Sequence, residues 1–276
     1  MPNSLDLTKL LTPAIDIARD AGRAILVIYD AMLSSDEGRR AALVARKADD
    51  SPLTQADLAA HRLITQRLRE LRPELPVVSE EDDAGDAGRM PARGAYWLVD
   101  PLDGTKEFLE GSGEFTVNIA LIQDGAARMG VVHAPALGQS YWGGAGLGAF
   151  RETGGRVEAI RVAAPAPEGT KLRVVASKSH MNAPTAKFIE ALGPHELVQA
   201  GSSLKFCRVA EGAADIYPRL GPTSEWDTAA AQAVLEAAGG HVWTLDGARL
   251  RYGKATILNP EFVASAMPPS ALPGRS

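Results

Sequence analysis

Apolar residues recur at helical spacing near the start of the chain, where Leu11, Ala14, Ile15, Ala18, Ile25 and Ile28 predict a long helix from about Leu5 to Ala31. The polar, glycine-containing run from Ser34 to Arg40 reads as a loop. Thr54 with Asp57 three positions later has the form of a helix N-cap, and Leu58, Leu63, Ile64, Leu68 and Leu71 continue an apolar helical face. Pro73 and Pro76 break the chain ahead of a short strand at Val77-Val78. Asp82 to Gly94 is polar and glycine-rich, as a solvated loop would be.

From Tyr96 the pattern is that of strands. Tyr96–Val99, Phe115–Ile122, Arg128–His133 and Ser140–Trp142 are predicted strands, with Asp124-Gly125 as a hairpin turn. Gly143-Gly144-Ala145-Gly146-Leu147-Gly148 has the wrong spacing for a nucleotide loop and follows an aromatic strand with no helix after it. It reads as a glycine turn between two antiparallel strands. Arg161 to Thr170 is rich in proline and alanine and is the best linker candidate. Beyond it strands (Leu172–Ala176, Glu196–Val198, Asp215–Tyr217) alternate with helices (Ala183–Leu192, Leu204–Glu211, Trp226–Ala238), the rhythm of a layered α/β half. The tail from Met267 to Pro273 reads as disordered, and there is no internal repeat. The division expected is residues 1–160 as an N-terminal α+β sub-domain and 161–276 as a C-terminal α/β sub-domain that completes the site.

Composition narrows the class. The 276 residues are 45% hydrophobic and 23% charged, an ordinary globular balance. A net charge of -5 argues against a bulk binder of nucleic-acid polymers, and leaves any phosphorylated substrate in need of local cations, which bound metal can supply. Cys207 is the only cysteine, so an intrachain disulfide and a cysteine-based zinc site are excluded and a reducing, cytosolic compartment fits. The N-terminus has no basic region followed by an apolar run, so no signal peptide is expected. No apolar stretch is long enough to predict a transmembrane segment.

The chemistry concentrates in a few acids. Trp97-Leu98-Val99-Asp100-Pro101-Leu102-Asp103-Gly104-Thr105 is an apolar strand ending in two aspartates around a proline, read as a stiffened turn on which both carboxylates face the same space. Glu225-Trp226-Asp227-Thr228-Ala229-Ala230 places an acid at a helix start, and Glu80 ends the run Val77-Val78-Ser79. Oxygen ligands of this kind, with the Leu102 carbonyl among them, suit Mg²⁺. Gly104 permits close approach to a phosphate, the Gly104 and Thr105 amides can donate to it, and the Thr105 hydroxyl can hold a water. Each acid also has a plainer reading: Asp103 as a cap for Thr105 to Phe108, and Asp227 as the N-cap of its own helix. Their joint occurrence favours a phosphate-ester hydrolase.

Glu80-Glu81, Asp100-Pro101-Leu102-Asp103-Gly104-Thr105 and Trp226-Asp227-Thr228-Ala229-Ala230 together resemble the signature of the Mg²⁺-dependent, lithium-sensitive phosphatases related to inositol monophosphatase, over a match from Lys47 to about Gly240. Within that superfamily Asp103 to Phe108, Gly113 to Ile122, Ala176 to His180, Gly201 to Cys207 and Tyr217 to Thr223 resemble the 3′(2′),5′-bisphosphate nucleotidases. The resemblance implies a two-sub-domain αβαβα sandwich and hydrolysis of adenosine 3′,5′-bisphosphate to AMP and phosphate in sulfur assimilation and nucleotide recycling. It extends to 3′-phosphoadenylyl sulfate as a further substrate. It implies two or three Mg²⁺ ions per site, one held by Glu80, Asp100 and the Leu102 carbonyl and a second by Asp100, Asp103 and Asp227. Glu80 and Thr105 would orient the attacking water, with Asp57 polarising the threonine; the plainer reading of Asp57 is a first-turn acid facing the helix dipole. Glu81 serves a third metal or a local salt bridge.

On the substrate side, Glu80, Leu102, Gly104, Thr105 and Asp227 fall around the reacting phosphate. The 5′-phosphate would be held by Lys205 and Arg219, with Ser202 and His180. Against these stand a solvated helix face for Lys205 and a helix cap for His180, while His133 reads as a strand-end residue and Cys207 as a buried filler. The rivals are an inositol monophosphatase or fructose-1,6-bisphosphatase with the same metal site and, from another class, a non-catalytic phospholigand sensor that would have lost a ligand or Thr105. The family implies a monomer or homodimer with a small-molecule nucleotide partner, located in the cytoplasm or peripherally at the cytoplasmic face of the inner membrane. It also implies inhibition by lithium.

Overall fold

In the computed structural model residues 5–35, 44–46, 52–82, 91, 93–165, 169–177 and 181–272 are described. Helix α1 (Leu7–Leu33) starts where the Asp6 side chain accepts the Thr8 amide, two residues later than the periodicity predicts. Strands β1 (Val44–Arg46) and β2 (Pro52–Thr54) form a small antiparallel ribbon. Thr54 then caps α2 (Gln55–Leu71) reciprocally: its hydroxyl accepts from the Ala56 and Asp57 amides, and the Asp57 carboxylate accepts the Thr54 amide at 2.8 Å. Such a cap contributes about 1 kcal/mol and sets where the helix begins.

The first sheet is nearly a meander. Strand β3 (Val77–Ser79) pairs in parallel with β4 (Ala95–Asp103). After the short helix α3 (Thr105–Leu109), β5 (Thr116–Gln123), β6 (Ala126–Ala134), β7 (Gln139–Gly144), β8 (Gly148–Thr153) and β9 (Arg156–Ile160) follow in spatial order, all antiparallel. The expected turn at Asp124-Gly125 has φ of 51° and 74° at its two central residues, the pair of left-handed conformations that a tight hairpin of matching twist needs.

The second sheet collects β10 (Leu172–Ser177), β11 (His195–Ala200), β12 (Ile216–Arg219), β13 (His241–Thr244) and β14 (Phe262–Ser265) in the order β11-β10-β12-β14-β13. Helices α4 (Ala183–Ala191), α5 (Leu204–Ala210) and α6 (Trp226–Ala237) separate them. The first three strands are parallel, as the alternation of strand and helix implies, and the last two antiparallel. The sequence pattern did not predict β9, β13 or β14, because each is four or five residues long and gives too few periods to read.

Side-chain alternation defines the layers. On β4, Trp97 and Val99 face a core shared with α1 and α2, whereas Tyr96 and Leu98 face a core shared with α5, α6 and the second sheet. On the second sheet Val175, Tyr217, Phe262 and Ala264 join that same middle core, and Val174, Ile216, Trp243 and Val263 face the opposite side with Ile189 of α4. The result is an α-β-α-β-α sandwich, the architecture that the family resemblance implied. Helix α6 lies directly on the first sheet, because a Cβ at Gly130 of β6 would stand 2.1 Å from the Ala230 carbonyl oxygen. The tail is a correction as far as Leu272, Pro273 lying outside the described residues: Pro269–Ala271 forms a 3-10 turn, Leu272, 4% exposed, is buried with Trp243 and Ile216, and Met267 packs against the same cluster. Among the described residues no helix is long and apolar enough to cross a membrane.

Candidate active site

The acids come together where several elements end. Asp100-Pro101-Leu102-Asp103 is not the turn the sequence suggested. Strand β4 runs through all four residues, with its register broken between Asp100, opposite Asn118, and Asp103, opposite Thr116. Strand β3 stops opposite Val99, so beyond that point, among the described residues, β4 has a neighbouring strand on one side only. A proline there removes no ladder bond from that open side. Glu80 follows β3 directly, its amide donating to the Val99 carbonyl at 3.0 Å, and lies against Asp100. Asp227 is not the N-cap of α6, a position that Glu225 fills; it sits inside the first turn, where its carboxylate accepts the Ser224 amide at 2.8 Å from just ahead of the helix. Nor is Asp103 a cap: α3 begins from Gly104, at φ 90°, with no side-chain cap.

A polar bridge that the sequence reading assigned no role joins these pieces. Ser203 Oγ lies 2.7 Å from Asp103 Oδ2 and 2.9 Å from the Asp227 carbonyl oxygen, and it accepts from Asn118 Nδ2 at 2.9 Å. Thr116 Oγ1 reaches both Asp103 Oδ2 at 3.4 Å and Ser202 Oγ at 3.3 Å. A signal was available. Thr116 and Asn118 alternate with Phe115, Val117 and Ile119, so a period of two puts both polar side chains on one face of a buried strand. Ser202 is held at φ 40° and is buried, and Gly201 before it passes so close to Glu114 that a Cβ would fall 2.8 Å from the Glu114 carbonyl.

Electrostatics single out the cluster. Burial, together with the charges of Glu80, Asp103 and Asp227, pushes the Asp100 carboxyl well above the usual carboxylate range. Asp227 is raised by burial and by Asp103 and Glu80, against the opposing pull of the Ser224 amide and Arg219. As they stand the carboxylates do not form a closed cage: among the described residues no group of three or more His, Cys, Asp or Glu side chains is arranged to enclose an ion. Asp103 is turned to Ser203, Asn118 and Thr116, and Asp227 to Ser224. The donor set nevertheless fits a hard divalent cation, since hard oxygen donors gather there and raise one another's proton affinity.

A cleft of about 480 Å³ opens beside the acids, with Asp103, Thr105, Lys205, Tyr217, Arg219 and Asp227 on its walls. A larger hollow of about 890 Å³ near the start of α1 gathers no comparable chemistry. Lys205 does not occupy a solvated helix face. It is 8% exposed, burial drives its pKa down, and its ammonium lies 5.7 Å from the centroid of the Tyr217 ring. Among the described residues that ammonium has no hydrogen bond or salt bridge. Arg219 Nη2 donates to the Pro222 carbonyl at 2.9 Å, while its Nε is buried and has no hydrogen-bond partner among the described residues. Thr105 Oγ1 stands 3.5 Å from the Leu102 carbonyl oxygen, and α3 packs beside β2, the strand that leads into Asp57. Asp57 itself is 1% exposed, and its Oδ2 accepts the Thr54 amide in the cap of α2. His180 lies outside the described residues, as does the Asp49-Asp50-Ser51 part of the upstream motif. Cys207 is a buried, unpaired thiol, as expected of a filler.

Residues 6–273 match the inositol monophosphatase family, and the chain belongs to it. Among curated relatives, the 3′(2′),5′-bisphosphate nucleotidase CysQ of Salmonella typhimurium is 46% identical over 254 residues, 92% of this chain and 98% of that protein. The protein of the same name from Escherichia coli K12 is 46% identical over 257 residues, covering 93% and 99%. Of solved structures, CysQ from Bacteroides thetaiotaomicron superposes with a TM-score of 0.77 at 38% identity, covering 96% of this chain and 97% of the other. Inositol monophosphatase from Anabaena superposes with a TM-score of 0.73 at 26% identity, covering 95% and 92%.

Proposed function

We propose that this protein is a phosphoric monoester hydrolase that removes the 3′-phosphate of adenosine 3′,5′-bisphosphate, giving AMP and phosphate. The observation that carries the reading is one cleft with Asp103 and Asp227 on its walls together with Lys205 and Arg219. A bisphosphate needs both: a reacting group at the acids and a second phosphate held by cations apart from them. The name carried by relatives 46% identical along nearly their whole length agrees with that division. A phosphatase for inositol 1-phosphate, which has one phosphate only, would have the same acids but no need of this cation pair.

Glu80, Asp100, the Leu102 carbonyl, Asp103 and Asp227 would hold Mg²⁺, in two or three ions. Bound there, the metal supplies positive charge against the phosphate oxygens and acidity to a nearby water. In this reading Glu80 and the Thr105 hydroxyl orient the water, and Asp57 polarises that hydroxyl by accepting its hydrogen bond. The Gly104 and Thr105 amides donate to the 3′-phosphate, and the ribose 3′-oxygen leaves in line with no covalent intermediate. Ser202, Lys205 and Arg219 hold the 5′-phosphate, arginine in a bidentate contact.

Phosphate release from adenosine 3′,5′-bisphosphate, 3′-phosphoadenylyl sulfate, inositol 1-phosphate and fructose 1,6-bisphosphate, each with and without Mg²⁺, tests the assignment. The nucleotide bisphosphate should give the highest kcat/KM. A preference for inositol 1-phosphate would overturn the substrate assignment, and Mg²⁺-independent turnover would overturn the metal one.

A further inference from the structure

The residue that carries more than its assigned share is Glu225. It occupies the N-cap position of α6, yet its side chain makes no capping bond to that helix. It is fully buried and carries a carboxylate. Both oxygens are used by a different part of the chain: Oε2 accepts the Gly253 amide at 2.8 Å, and Oε1 accepts the Lys254 amide at 3.1 Å and the Lys254 ammonium at 2.5 Å. Its own amide donates to the Ile257 carbonyl at 2.9 Å. A buried carboxylate with three donors, one of them charged, is a strong and directional attachment.

The attachment continues around the cleft. Lys254 Nζ also donates to Asn259 Oδ1 at 3.1 Å and to the Arg251 carbonyl at 3.0 Å. Asn259 Nδ2 in turn lies 2.6 Å from the Ser224 carbonyl oxygen, 3.1 Å from Thr228 Oγ1 and 3.2 Å from Thr223 Oγ1. The Asn259 amide donates to the Thr223 carbonyl at 2.8 Å. The segment 251–259 therefore holds residues 223–228 on both sides, and Thr223, Asp227 and Thr228 line the cleft. The Ser224 amide, inside that grip, is the group that orients the Asp227 carboxylate.

Resting on the metal-dependent reading above, we propose that Glu225 is a positioning residue: through its clamp on the 251–259 segment it sets the Ser224 amide and so the orientation of the Asp227 carboxylate toward a metal. It touches neither substrate nor reacting atoms. Its effect passes through two hydrogen bonds and a helix start, and outer partners of metal ligands typically weaken metal affinity about 10–100-fold when lost.

Calorimetric titration of Mg²⁺ into substrate-free protein tests this, alongside circular dichroism to verify folding. Glu225→Gln places an amide N–H₂ against donors and should weaken Mg²⁺ binding at least about tenfold, and raise the Mg²⁺ concentration needed for half-maximal turnover in parallel. Asn259→Ala, which loosens the same grip from its partly buried end without removing a charge, should weaken binding in the same direction by a smaller factor. Should Glu225→Gln fail to fold, Asn259→Ala decides alone. Folded variants that bind Mg²⁺ as tightly as the parent overturn the proposal, even if they are less stable. The parent failing to bind Mg²⁺ at all would instead overturn the functional reading on which it rests.

Discussion

Ser203 Oγ stands 2.7 Å from the Asp103 carboxylate and simultaneously 2.9 Å from the backbone carbonyl of Asp227, so one hydroxyl links the end of β4 to the first turn of α6. Asn118 donates to it from β5. One acid reaches the cleft from the end of a strand and the other from the start of a helix packed on the same sheet, and this contact aligns them. Ser203→Ala should leave the fold intact, with a stability loss on the order of 1 kcal/mol in urea denaturation. It should lower kcat about tenfold or more with little change in KM, since the aspartates lose their common reference rather than the substrate losing a contact. A kcat within twofold or so of the parent would remove the bridge from the mechanism.

Asp100 is 1% exposed among three other carboxylates, a costly place for a negative charge. The site thus trades stability for function, and the two should separate in one variant. Asp100→Asn is expected to raise the unfolding free energy of chelator-treated protein, on the order of 1 kcal/mol or more, while lowering Mg²⁺-dependent turnover at least about 100-fold. Thermal melts with EDTA and a phosphate-release assay read the two effects. Full Mg²⁺-dependent activity in this variant would contradict the metal assignment of all five ligands.

What could be read ahead of the structure follows from how much of each feature is local. The capping box at Thr54 and Asp57 and the Asp124-Gly125 turn are complete within four residues, and both appear as expected. The long helix α1 was displaced by two residues at each end because apolar spacing does not mark ends; the Asp6 side chain does. The acids were visible as a set, but their surroundings were not. Asp100-Pro101-Leu102-Asp103 looks like a turn until β3 is seen to end at Ser79, which is what lets a strand contain the proline. Lys205 has the local signature of an exposed helix residue, and only the packing of α5 beneath Tyr217 and Phe262 buries it. Glu225 stands just ahead of a helix and is assigned no role by the sequence, because its partners lie 28 and 29 residues downstream.

His133 gives a pH dependence independent of the acids. Burial in β6 pushes its imidazole down to about 4 from the ordinary 6.5; the hydrogen bond with the Gln139 backbone opposes the shift, and the Arg19 and Arg23 charges add to it. Between those two pH values the unfolded chain binds a proton at this residue and the folded chain does not. The stability contribution is therefore complete above pH 6.5 and declines as the pH falls toward 4, by on the order of 3 kcal/mol over the full window. Urea midpoints measured across that window should fall for the parent and stay flatter for His133→Gln, which can still meet the Ser140 hydroxyl now 2.9 Å from His133 Nδ1. Equal slopes for the two proteins would place the acid sensitivity elsewhere.

The second phosphate supplies the sharpest discrimination. Lys205 is buried without a hydrogen bond or salt bridge among the described residues, and desolvation lowers its pKa although Asp103, Glu107 and Asp227 pull the other way. A charge kept in such a place is costly unless a ligand anion completes it. Lys205→Met preserves the length of the apolar stem and removes the charge, so the free protein should melt at the same temperature or higher. For adenosine 3′,5′-bisphosphate KM should rise by about 10–100-fold with kcat little changed, the pattern of a contact made equally in ground and transition states. Adenosine 3′-monophosphate, which has no 5′-phosphate to hold, should be turned over by parent and variant with kcat/KM within about threefold. If both substrates lose equally, Lys205 serves the reacting phosphate or the fold rather than the 5′ end. If neither loses, the recognition of the second phosphate falls to Arg219, whose Nε is buried on that wall of the cleft with no hydrogen-bond partner among the described residues.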